Sequence, residues 1–274
     1  MNNALKYLFS SQKKNGYKEI RILGLRIKFG CKKKSDLKNL EKKLDRIERY
    51  VELINKSVNT IFRYQTGLQI NEGLNKVGTT MERIIVFNPD DAPIDHFERY
   101  AFAANLCKGK KVIDIACGCG YGSNLISHKA ADVLGIDLCP GAVDFANRFF
   151  AGDNCRYICQ DARNLNLQNS FDRAVSFETI EHIENPVPLL ESLCKLLNKS
   201  GLLICSVPNQ NIIPFDKEIS IHHFKHYTPQ EFCSLIESCG FEVIDILYQY
   251  QDDFKVKKIQ NQEGADIVLV AKKK

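Results

Sequence analysis

The chain has 274 residues, of which 44% are hydrophobic and 26% charged, with a formal net charge of +5. This composition is ordinary for a globular protein with one large α/β domain and a smaller appendage. No apolar run approaches the roughly 18 residues of a membrane-spanning helix, and the first residues lack the features of a signal peptide. The eleven cysteines are scattered through apolar segments without zinc-type spacing. We therefore expect reduced thiols that pack as small hydrophobes, and a cytoplasmic protein.

The N-terminal segment, residues 1–34, is strongly basic. It carries ten lysines and arginines against the single Glu19, so the remainder of the chain is mildly acidic. Such an arm can contact an anionic membrane surface at the inner membrane face, and the alternative is a solvated charged arm. Within it, apolar residues alternate with basic ones on both sides of Gly24, which predicts a small β-hairpin over residues 17–30 that needs a packing partner.

Residues 35–61 have the pattern of a coiled-coil helix. Apolar residues are spaced alternately three and four apart, and nearly all residues between them are polar. This predicts a homo-oligomer assembled through residues 37–61, and the β-branched residues in the seam leave trimers and tetramers open. The alternative is one amphipathic helix lying on its own domain. The seam consists of Leu37, Leu40, Leu44, Ile47, Val51, Ile54, Val58 and Ile61.

Turn-forming residues interrupt the connecting region, 62–93, and a helix is predicted over 94–106. From residue 111 onward, apolar strand patterns alternate with helical ones, which predicts a mostly parallel sheet covered on both faces. The segments 241–249 and 265–271 look like strands without a helix between them, so the last strand should run antiparallel. The earlier predicted strands are 111–116, 133–137, 155–159, 173–177 and 202–207, and the helices are 121–129, 141–151, 187–198 and 229–239.

A glycine-rich turn follows the first of these strands and leads into a helix. Gly118, Gly120 and Gly122 let the backbone approach a ligand closely, and the helix N-terminus offers free N–H groups. Dinucleotide-binding proteins use a similar loop, but their third glycine position is Ser123 here. Asp137 ends the second strand, where a carboxylate can accept hydrogen bonds from both hydroxyls of a ribose.

Further polar residues follow the third and fourth strands. Asp161 follows the third, where it can accept a hydrogen bond from an adenine amino group. Histidines on loops at this sheet edge are candidates for acid–base chemistry, and His182 or His223 is our candidate for the base that removes a hydroxyl proton. Alternatively, either one only positions the acceptor. A metal site would need a carboxylate near the adjacent histidines that the pattern does not place, so no metal is expected. The histidines are His182, His222, His223 and His226.

Residues 94–274 resemble class I S-adenosylmethionine-dependent methyltransferases in the segments 114–122 (DIACGCGYG), 133–137 (VLGID) and 177–184 (FETIEHIE). The resemblance implies S-adenosylmethionine as cofactor and a Rossmann-like α/β fold with a mostly parallel seven-stranded sheet and an antiparallel last strand. Ala116 replaces the first glycine that many members have in the loop. The implied cofactor contacts are Asp114, Ala116, Gly118 and Gly120 on the methionine side, Asp137 and Leu138 at the ribose and adenine, Asp161 and Ala162 at the adenine edge, and Glu178 at the amino-acid end.

The helix that contains Arg99 would close over the cofactor by the same resemblance. Arg99 is then a candidate partner for the cofactor's carboxylate, and the alternative is a surface salt bridge.

Segments 100–103 (YAFA), 206–209 (SVPN) and 223–228 (HFKHYT) are similar to bacterial methyltransferases of surface-polysaccharide pathways, and the hairpin is similar to an element of capsule and lipopolysaccharide enzymes. This implies O-methylation of a sugar or other group of a surface polysaccharide or its activated precursor. The corresponding acceptor-binding candidates are Tyr100, His222, His226 and Tyr227.

Three alternatives remain open. The acceptor can instead be a quinone-precursor phenol, an amino group or a phosphoramidate. The chain can be a non-catalytic oligomeric scaffold. A nucleotide-dependent oxidoreductase fits less well, because of the loop spacing and the antiparallel last strand. Nucleic acid is not an expected partner, because the basic charge lies on the N-terminal arm, away from the predicted site.

Overall fold

The structure is a computed structural model that describes residues 9–14, 17–22, 25–29, 83–165 and 170–274. Contacts divide the chain into two units, Met1–Phe62 and Arg63–Lys274. The predicted coiled coil over 35–61 and most of the connecting region lie outside the described residues. The coiled coil and the oligomer that it implies therefore stay predictions.

The described part of the first unit is a three-stranded antiparallel sheet. Strands β1 (Phe9–Lys14), β2 (Tyr17–Ile22) and β3 (Leu25–Phe29) lie in chain order. The predicted hairpin corresponds to β2 and β3, with Ile22 paired to Leu25. The preceding β1 was not predicted, because its sequence FSSQKK has a single large apolar residue and no alternation.

The second unit is a sheet flanked by helices on both faces. Its helices are α1 (Ile94–Leu106), α2 (Tyr121–Ser127), α3 (Pro140–Phe149), α4 (Val187–Leu196) and α5 (Pro229–Ser238). Its strands are β4 (Lys111–Ile115), β5 (Asp132–Asp137), β6 (Cys155–Cys159), β7 (Phe171–Phe177), β8 (Leu197–Pro208), β9 (Phe241–Gln249), β10 (Val256–Lys257) and β11 (Asp266–Lys273).

The strand order in this sheet is β10-β9-β11-β8-β7-β4-β5-β6. The five strands from β8 to β6 pair in parallel, and β11 inserts antiparallel between β8 and β9. The Rossmann-like fold and the antiparallel last strand are therefore confirmed. The sheet has eight strands rather than seven, because β10 adds two residues to the edge at β9. A two-residue strand has no hydrophobic period that a sequence pattern can reveal.

The predicted helix over 187–198 was too long and the predicted strand over 202–207 too short. Helix α4 ends at Leu196, and β8 begins directly at Leu197, which pairs with Phe171. Consecutive leucines at this junction suit a helix or a strand equally well by hydrophobicity alone.

Helices α1 to α3 cover one face of the sheet, where Tyr100, Ile126 and Phe145 belong to one buried cluster. Helices α4 and α5 cover the other face, with Leu193 and Phe232 in a second cluster. Each fully buried side chain of this size contributes about 1.5–3 kcal/mol. Within the described ranges ten cysteines are unpaired and seven of these are buried, in keeping with small packed hydrophobes. No helix in the same ranges is long and apolar enough to cross a membrane.

Because the five strands from β8 to β6 are parallel, their carboxyl ends meet at one edge, where ligands bind in folds of this type.

Candidate active site

The loop between β4 and α2 has an unusual backbone conformation. Ala116, Gly118 and Gly120 all have left-handed dihedrals, with φ of 56°, 55° and 88°. Glycine adopts this region freely, whereas a residue with a Cβ loses about 1–2 kcal/mol. A Cβ added at Gly120 would lie 2.6 Å from the Cβ of Ala146, but one added at Gly118 would meet nothing within 4 Å. The loop is thus packed at Gly120 and open at Gly118, where a ligand can approach.

Asp114 lies beneath this loop and is fully buried. The hydroxyl of Ser123 donates a hydrogen bond to its Oδ2 at 2.6 Å, and the Tyr100 hydroxyl lies 3.5 Å from Oδ1. Burial raises the pKa of Asp114 to about 7, although the two hydroxyls partly oppose this. Tyr100 itself is buried, with its ring 5.1 Å from that of Phe177. The predicted acceptor residue Tyr100 therefore lies in the packing layer under the loop.

Asp137 joins three backbone segments at the end of β5. Its carboxylate accepts hydrogen bonds from the backbone N–H groups of Gly118 and Cys139, both at 2.9 Å. The guanidinium of Arg83 donates a third at 2.8 Å. A carboxylate has about four lone-pair positions, so Asp137 keeps capacity for another donor. Leu138 beside it is 43% exposed and offers an apolar surface at the same edge.

Arg83 was not predicted as a site residue. It lies in the connecting region, 54 positions before Asp137, and no local pattern links the two.

Asp161 follows β6 at the neighbouring position on the edge. The side chain and backbone N–H of Arg163 donate to its carboxylate at 2.6–3.0 Å, and these hydrogen bonds hold the pKa of Asp161 below its usual value. The carbonyl of the buried Ala162 accepts a hydrogen bond from Ser192 at 2.8 Å. The structure thus places both residues at the predicted edge, with Asp161 engaged by its neighbour Arg163.

Arg99 lies at the centre of a buried ionic cluster. Its Nη1 donates to Gln249 at 2.6 Å and to Asp266 at 2.7 Å, so α1 is tied to the last residue of β9 and the first of β11. The carboxylates of Asp95 and Glu178 lie 3.8 and 4.0 Å from the guanidinium. Burial and the charge of Glu178 raise the pKa of Asp266 to about 7. Three carboxyl groups thus surround one guanidinium, so negative charge is in excess at this part of the sheet edge.

Glu178 is the residue immediately after β7. Its φ of 47° turns the chain sharply, and its Oε1 accepts a hydrogen bond from the Ser206 hydroxyl at 2.6 Å. A left-handed residue without a glycine is uncommon and is often found at functional sites. Glu178 therefore reaches the same edge as the glycine loop, as predicted.

Three of the predicted histidines come together beyond Glu178. The rings of His182 and His223 meet edge to face with centroids 4.5 Å apart. Nδ1 of His182 lies 3.1 Å from the backbone carbonyl of His222. Nδ1 of His223 lies 2.8 Å from Nε2 of His226, whose Nδ1 lies 2.7 Å from the carbonyl of Ile213. The two candidate catalytic histidines are thus held by a chain of hydrogen bonds.

The other two acceptor-binding candidates play different parts in this arrangement. His222 contributes its backbone carbonyl to the contact with His182. Tyr227 is 6% exposed and its ring packs 5.7 Å from that of Phe232 on α5. Burial raises the pKa of Tyr227.

Glu181, like Arg83, was not predicted as a site residue. It lies in the 3₁₀ turn Ile180–His182 with no exposed surface, and neither carboxylate oxygen has a hydrogen-bond partner. Burial, with a contribution from the charge of Glu178, raises its pKa well above the usual value. Its backbone carbonyl accepts a hydrogen bond from Phe224 at 2.7 Å, which joins the turn to the histidine loop. One ligand atom each from Glu181, His182 and His223 lies within 4.8 Å of the others.

Residues 113–205 match the family model described as a methyltransferase domain. The chain is 31% identical over 158 residues to a probable S-adenosylmethionine-dependent methyltransferase of Mycolicibacterium smegmatis, covering 54% of this chain and 58% of that relative. It is 29% identical to a ubiquinone biosynthesis O-methyltransferase of Cereibacter sphaeroides, covering 54% of this chain and 67% of the relative. The alignment thus spans little more than half of the first of these curated relatives.

Solved structures share the fold. An S-adenosylmethionine-dependent methyltransferase from Mesorhizobium loti superposes with a TM-score of 0.55 at 17% identity, over 68% of this chain and 100% of that one. A possible histamine N-methyltransferase from Thermotoga maritima has a TM-score of 0.55 at 20% identity, over 66% of this chain and 90% of that one. At this identity the likeness establishes the fold alone.

Proposed function

We propose that residues 94–274, of which 113–205 match the methyltransferase family model, form a class I S-adenosylmethionine-dependent methyltransferase domain that methylates a hydroxyl oxygen of a small acceptor. The observation that carries this proposal is the meeting of three features at one sheet edge. These are the open loop at Gly118, the carboxylate of Asp137 and the edge-to-face pair of imidazole rings of His182 and His223.

The described residues fit the cofactor. The space at Gly118 admits a ligand against the loop backbone, and the spare lone pair of Asp137 can accept from a ribose hydroxyl. The exposed Leu138 suits the face of an adenine, with Asp161 and Ala162 beyond it. S-Adenosylmethionine carries an ammonium and a sulfonium, so the carboxylate excess around Arg99 favours its methionine end.

Arg99 remains our candidate for the cofactor's carboxylate. Its Nη1 is engaged by Gln249 and Asp266, but its buried Nε has no hydrogen-bond partner. A donor without a partner in the interior costs free energy, which a ligand carboxylate would recover.

Bound S-adenosylmethionine supplies an electrophilic methyl group. Transfer of this group to an acceptor oxygen would break the carbon–sulfur bond, leave its electron pair on sulfur and release the hydroxyl proton. Nε2 of His182 or His223 takes the hydroxyl proton, since the Nδ1 atoms of both rings face hydrogen-bond partners. Holding oxygen, carbon and sulfur in line supplies a large share of the rate enhancement.

For the acceptor we propose a sugar hydroxyl of a bacterial surface polysaccharide or its activated precursor. This rests on the resemblance of the segments 206–209, at the end of β8, and 223–228, which contains His223 and His226. A phenolic acceptor is the second candidate, because one relative is a ubiquinone biosynthesis O-methyltransferase.

Calorimetric titration of the full chain with S-adenosylmethionine and with NAD tests the cofactor claim. We expect binding of the first only, and a preference for NAD would refute the proposal. Asp137→Asn should weaken S-adenosylmethionine binding about 10- to 100-fold, since a charged hydrogen bond is worth about 1.5–3 kcal/mol. Asp144→Asn, on the exposed side of α3, is the matched control and should bind normally.

Transfer of a labelled methyl group to a panel of nucleotide sugars, capsular polysaccharide and catechol-type phenols tests the acceptor. We expect transfer to a sugar hydroxyl. Transfer to the phenols alone would replace the first acceptor class by the second, and binding of cofactor without transfer to any acceptor would favour a non-catalytic scaffold.

A further inference from the structure

A carboxylate and two imidazoles converge where the 3₁₀ turn after β7 faces the loop before α5. Glu181, His182 and His223 each bring a ligand atom within 4.8 Å of the other two. Across the part of the chain that the structure describes, this is the one cluster of His, Cys, Asp or Glu with such spacing. It lies next to Glu178, and therefore beside the end of the pocket assigned to the methionine part of the cofactor.

The carboxylate in this cluster is unusually placed. Glu181 has no exposed surface and neither of its oxygens has a hydrogen-bond partner. Its Oε1 lies 3.9 Å from Nε2 of His182, which is too long for a hydrogen bond. Burying a carboxylate without donors is costly, so such groups are normally paired or bind a metal ion. Glu181 thus points to a missing positive partner.

The hydrogen bonds behind the histidines determine their tautomers. A carbonyl can only accept, so Nδ1 of His182 carries the hydrogen that it donates to the carbonyl of His222. Likewise His226 donates from Nδ1 to the carbonyl of Ile213, and its Nε2 must accept. His223 then donates from Nδ1 to His226.

In the neutral rings of His182 and His223, the lone pair consequently lies on Nε2. Metal-binding histidines are typically fixed in this way, with the other ring nitrogen donating to a carbonyl or another acceptor. Here both candidate ligands have such a support, and that of His223 extends through a second histidine.

Two imidazoles and one carboxylate are the donor set of open zinc sites, which keep a fourth position for water or substrate. Magnesium and calcium prefer oxygen-only ligands, so this set favours a transition metal. Bonds of about 2.0–2.1 Å in a tetrahedron place neighbouring ligand atoms about 3.4 Å apart. The separation of 3.9 Å between Oε1 of Glu181 and Nε2 of His182 exceeds that value by about 0.5 Å, so metal binding would draw the three ligand atoms closer together.

We propose that Glu181, His182 and His223 bind one divalent transition-metal ion of the zinc class, with the acceptor hydroxyl as a further ligand. This departs from the expectation of no metal, because the sequence pattern did not place a carboxylate beside the histidines. The catalytic part rests on the proposed methyl transfer and replaces its histidine base, because Nε2 of each ring would bind the metal instead of the proton. The metal lowers the pKa of the bound hydroxyl, whose proton passes to water. The resulting oxygen anion forms the new bond to the methyl carbon while the carbon–sulfur bond breaks toward sulfur.

Zinc titration of the full chain, stripped of metal with a chelator and followed in competition with a chromophoric chelator, tests the site. We expect one ion per chain. Glu181→Gln and His223→Ala should each weaken zinc binding at least about 100-fold, because supporting residues alone change affinity about 10- to 100-fold. Glu242→Gln and His128→Ala, at exposed positions, are matched controls that should leave affinity unchanged.

Two further measurements separate a metal site from a structural cluster. His226 contacts Nδ1 of His223 and not its proposed ligand atom Nε2. His226→Ala should nevertheless weaken zinc binding about 10- to 100-fold, because His223 would lose the hydrogen bond that orients its ring. Cobalt should give the strong visible absorption of a tetrahedral site in the wild type and lose it in Glu181→Gln. Thermal unfolding of the metal-free variants verifies that they are folded.

Absence of stoichiometric zinc binding by the wild type, or wild-type affinity in Glu181→Gln and His223→Ala, would overturn the site. If zinc binds but stripped and zinc-loaded enzyme transfer methyl at the same rate, the catalytic role is wrong, and the histidines act as bases instead. Failure to bind S-adenosylmethionine would refute the methyl-transfer function while leaving the zinc result intact.

Discussion

Asp114 should make the folded protein less stable as the pH rises from 5 to 7. Its carboxyl is buried, and its pKa is raised from an ordinary 3.8 to about 7. Between these two values the unfolded chain has released the proton while the folded chain retains it. The free energy of unfolding therefore falls with rising pH, by about 1.36 kcal/mol per pH unit at most. Below pH 3.8 both states are protonated and the contribution is fully present.

Asp114→Asn removes this dependence and keeps an oxygen to accept from Ser123. From pH 5 to pH 7 the wild type should lose about 2 kcal/mol relative to this variant, since its folded state is half deprotonated at the upper limit. The assay is urea unfolding of the ligand-free protein at both pH values. Asp266 contributes a dependence of the same sign, but it is present in both proteins and cancels in the difference.

Asp144→Asn, at an exposed position on α3, is the control, and its free energy of unfolding should match that of the wild type at both pH values. Parallel pH profiles for the wild type and Asp114→Asn would refute the reasoning, because they would mean that Asp114 titrates alike in both states.

Three other variants test the loop and the predicted assembly. Ala116→Gly should stabilise the protein by up to about 1 kcal/mol, because it removes a Cβ at a φ of 56°. The melting temperature should rise by a few degrees, and an unchanged or lower melting temperature would contradict this. Gly120→Ala should destabilise the protein by about 3 kcal/mol or more, because the added Cβ would clash with Ala146. In the same thermal melts Gly152→Ala should be tolerated, because a Cβ at that position meets open space. Deletion of residues 1–61 should lower the oligomer mass in light scattering, and an equal number of chains per particle would exclude the predicted coiled coil from assembly.

Features set by local sequence were predictable. Apolar runs and their flanking glycines located the parallel strands, and a residue at a strand's carboxyl end must lie at the ligand edge of such a sheet. Asp137 was placed there for that reason, and β5 does end at Asp137. Glu178, whose role was implied by the resemblance, directly follows β7. The missing helix between β9 and β11 likewise gave the antiparallel last strand.

Contacts between distant segments were not predictable. Arg99 meets Gln249 and Asp266 across 150 and 167 positions, and nothing in the local pattern of α1 indicates which partners its guanidinium finds. The pairing of Arg83 with Asp137 is of the same kind. The period of the hydrophobic pattern identifies the face of a helix or strand on which a residue lies. The partner of a buried charged residue depends instead on how elements that are distant in the chain pack together.

Glu181 shows why this matters for the chemistry of the site. His182 was predicted as a site residue because histidine is the usual acid–base group near neutral pH. Glu181 and His182 belong to one short 3₁₀ turn that faces the histidine loop. The backbone N–H of Phe224 donates a hydrogen bond to the carbonyl of Glu181, which joins the histidine loop, and with it His223, to this turn. A carboxylate buried without donors is then opposite two imidazole lone pairs, an arrangement that lowers its free energy only when a cation or a proton is shared among the three. Under the proposed function, the acceptor chemistry therefore depends on the charge that fills this position, which the zinc titration and the methyl-transfer rates of stripped and zinc-loaded enzyme test.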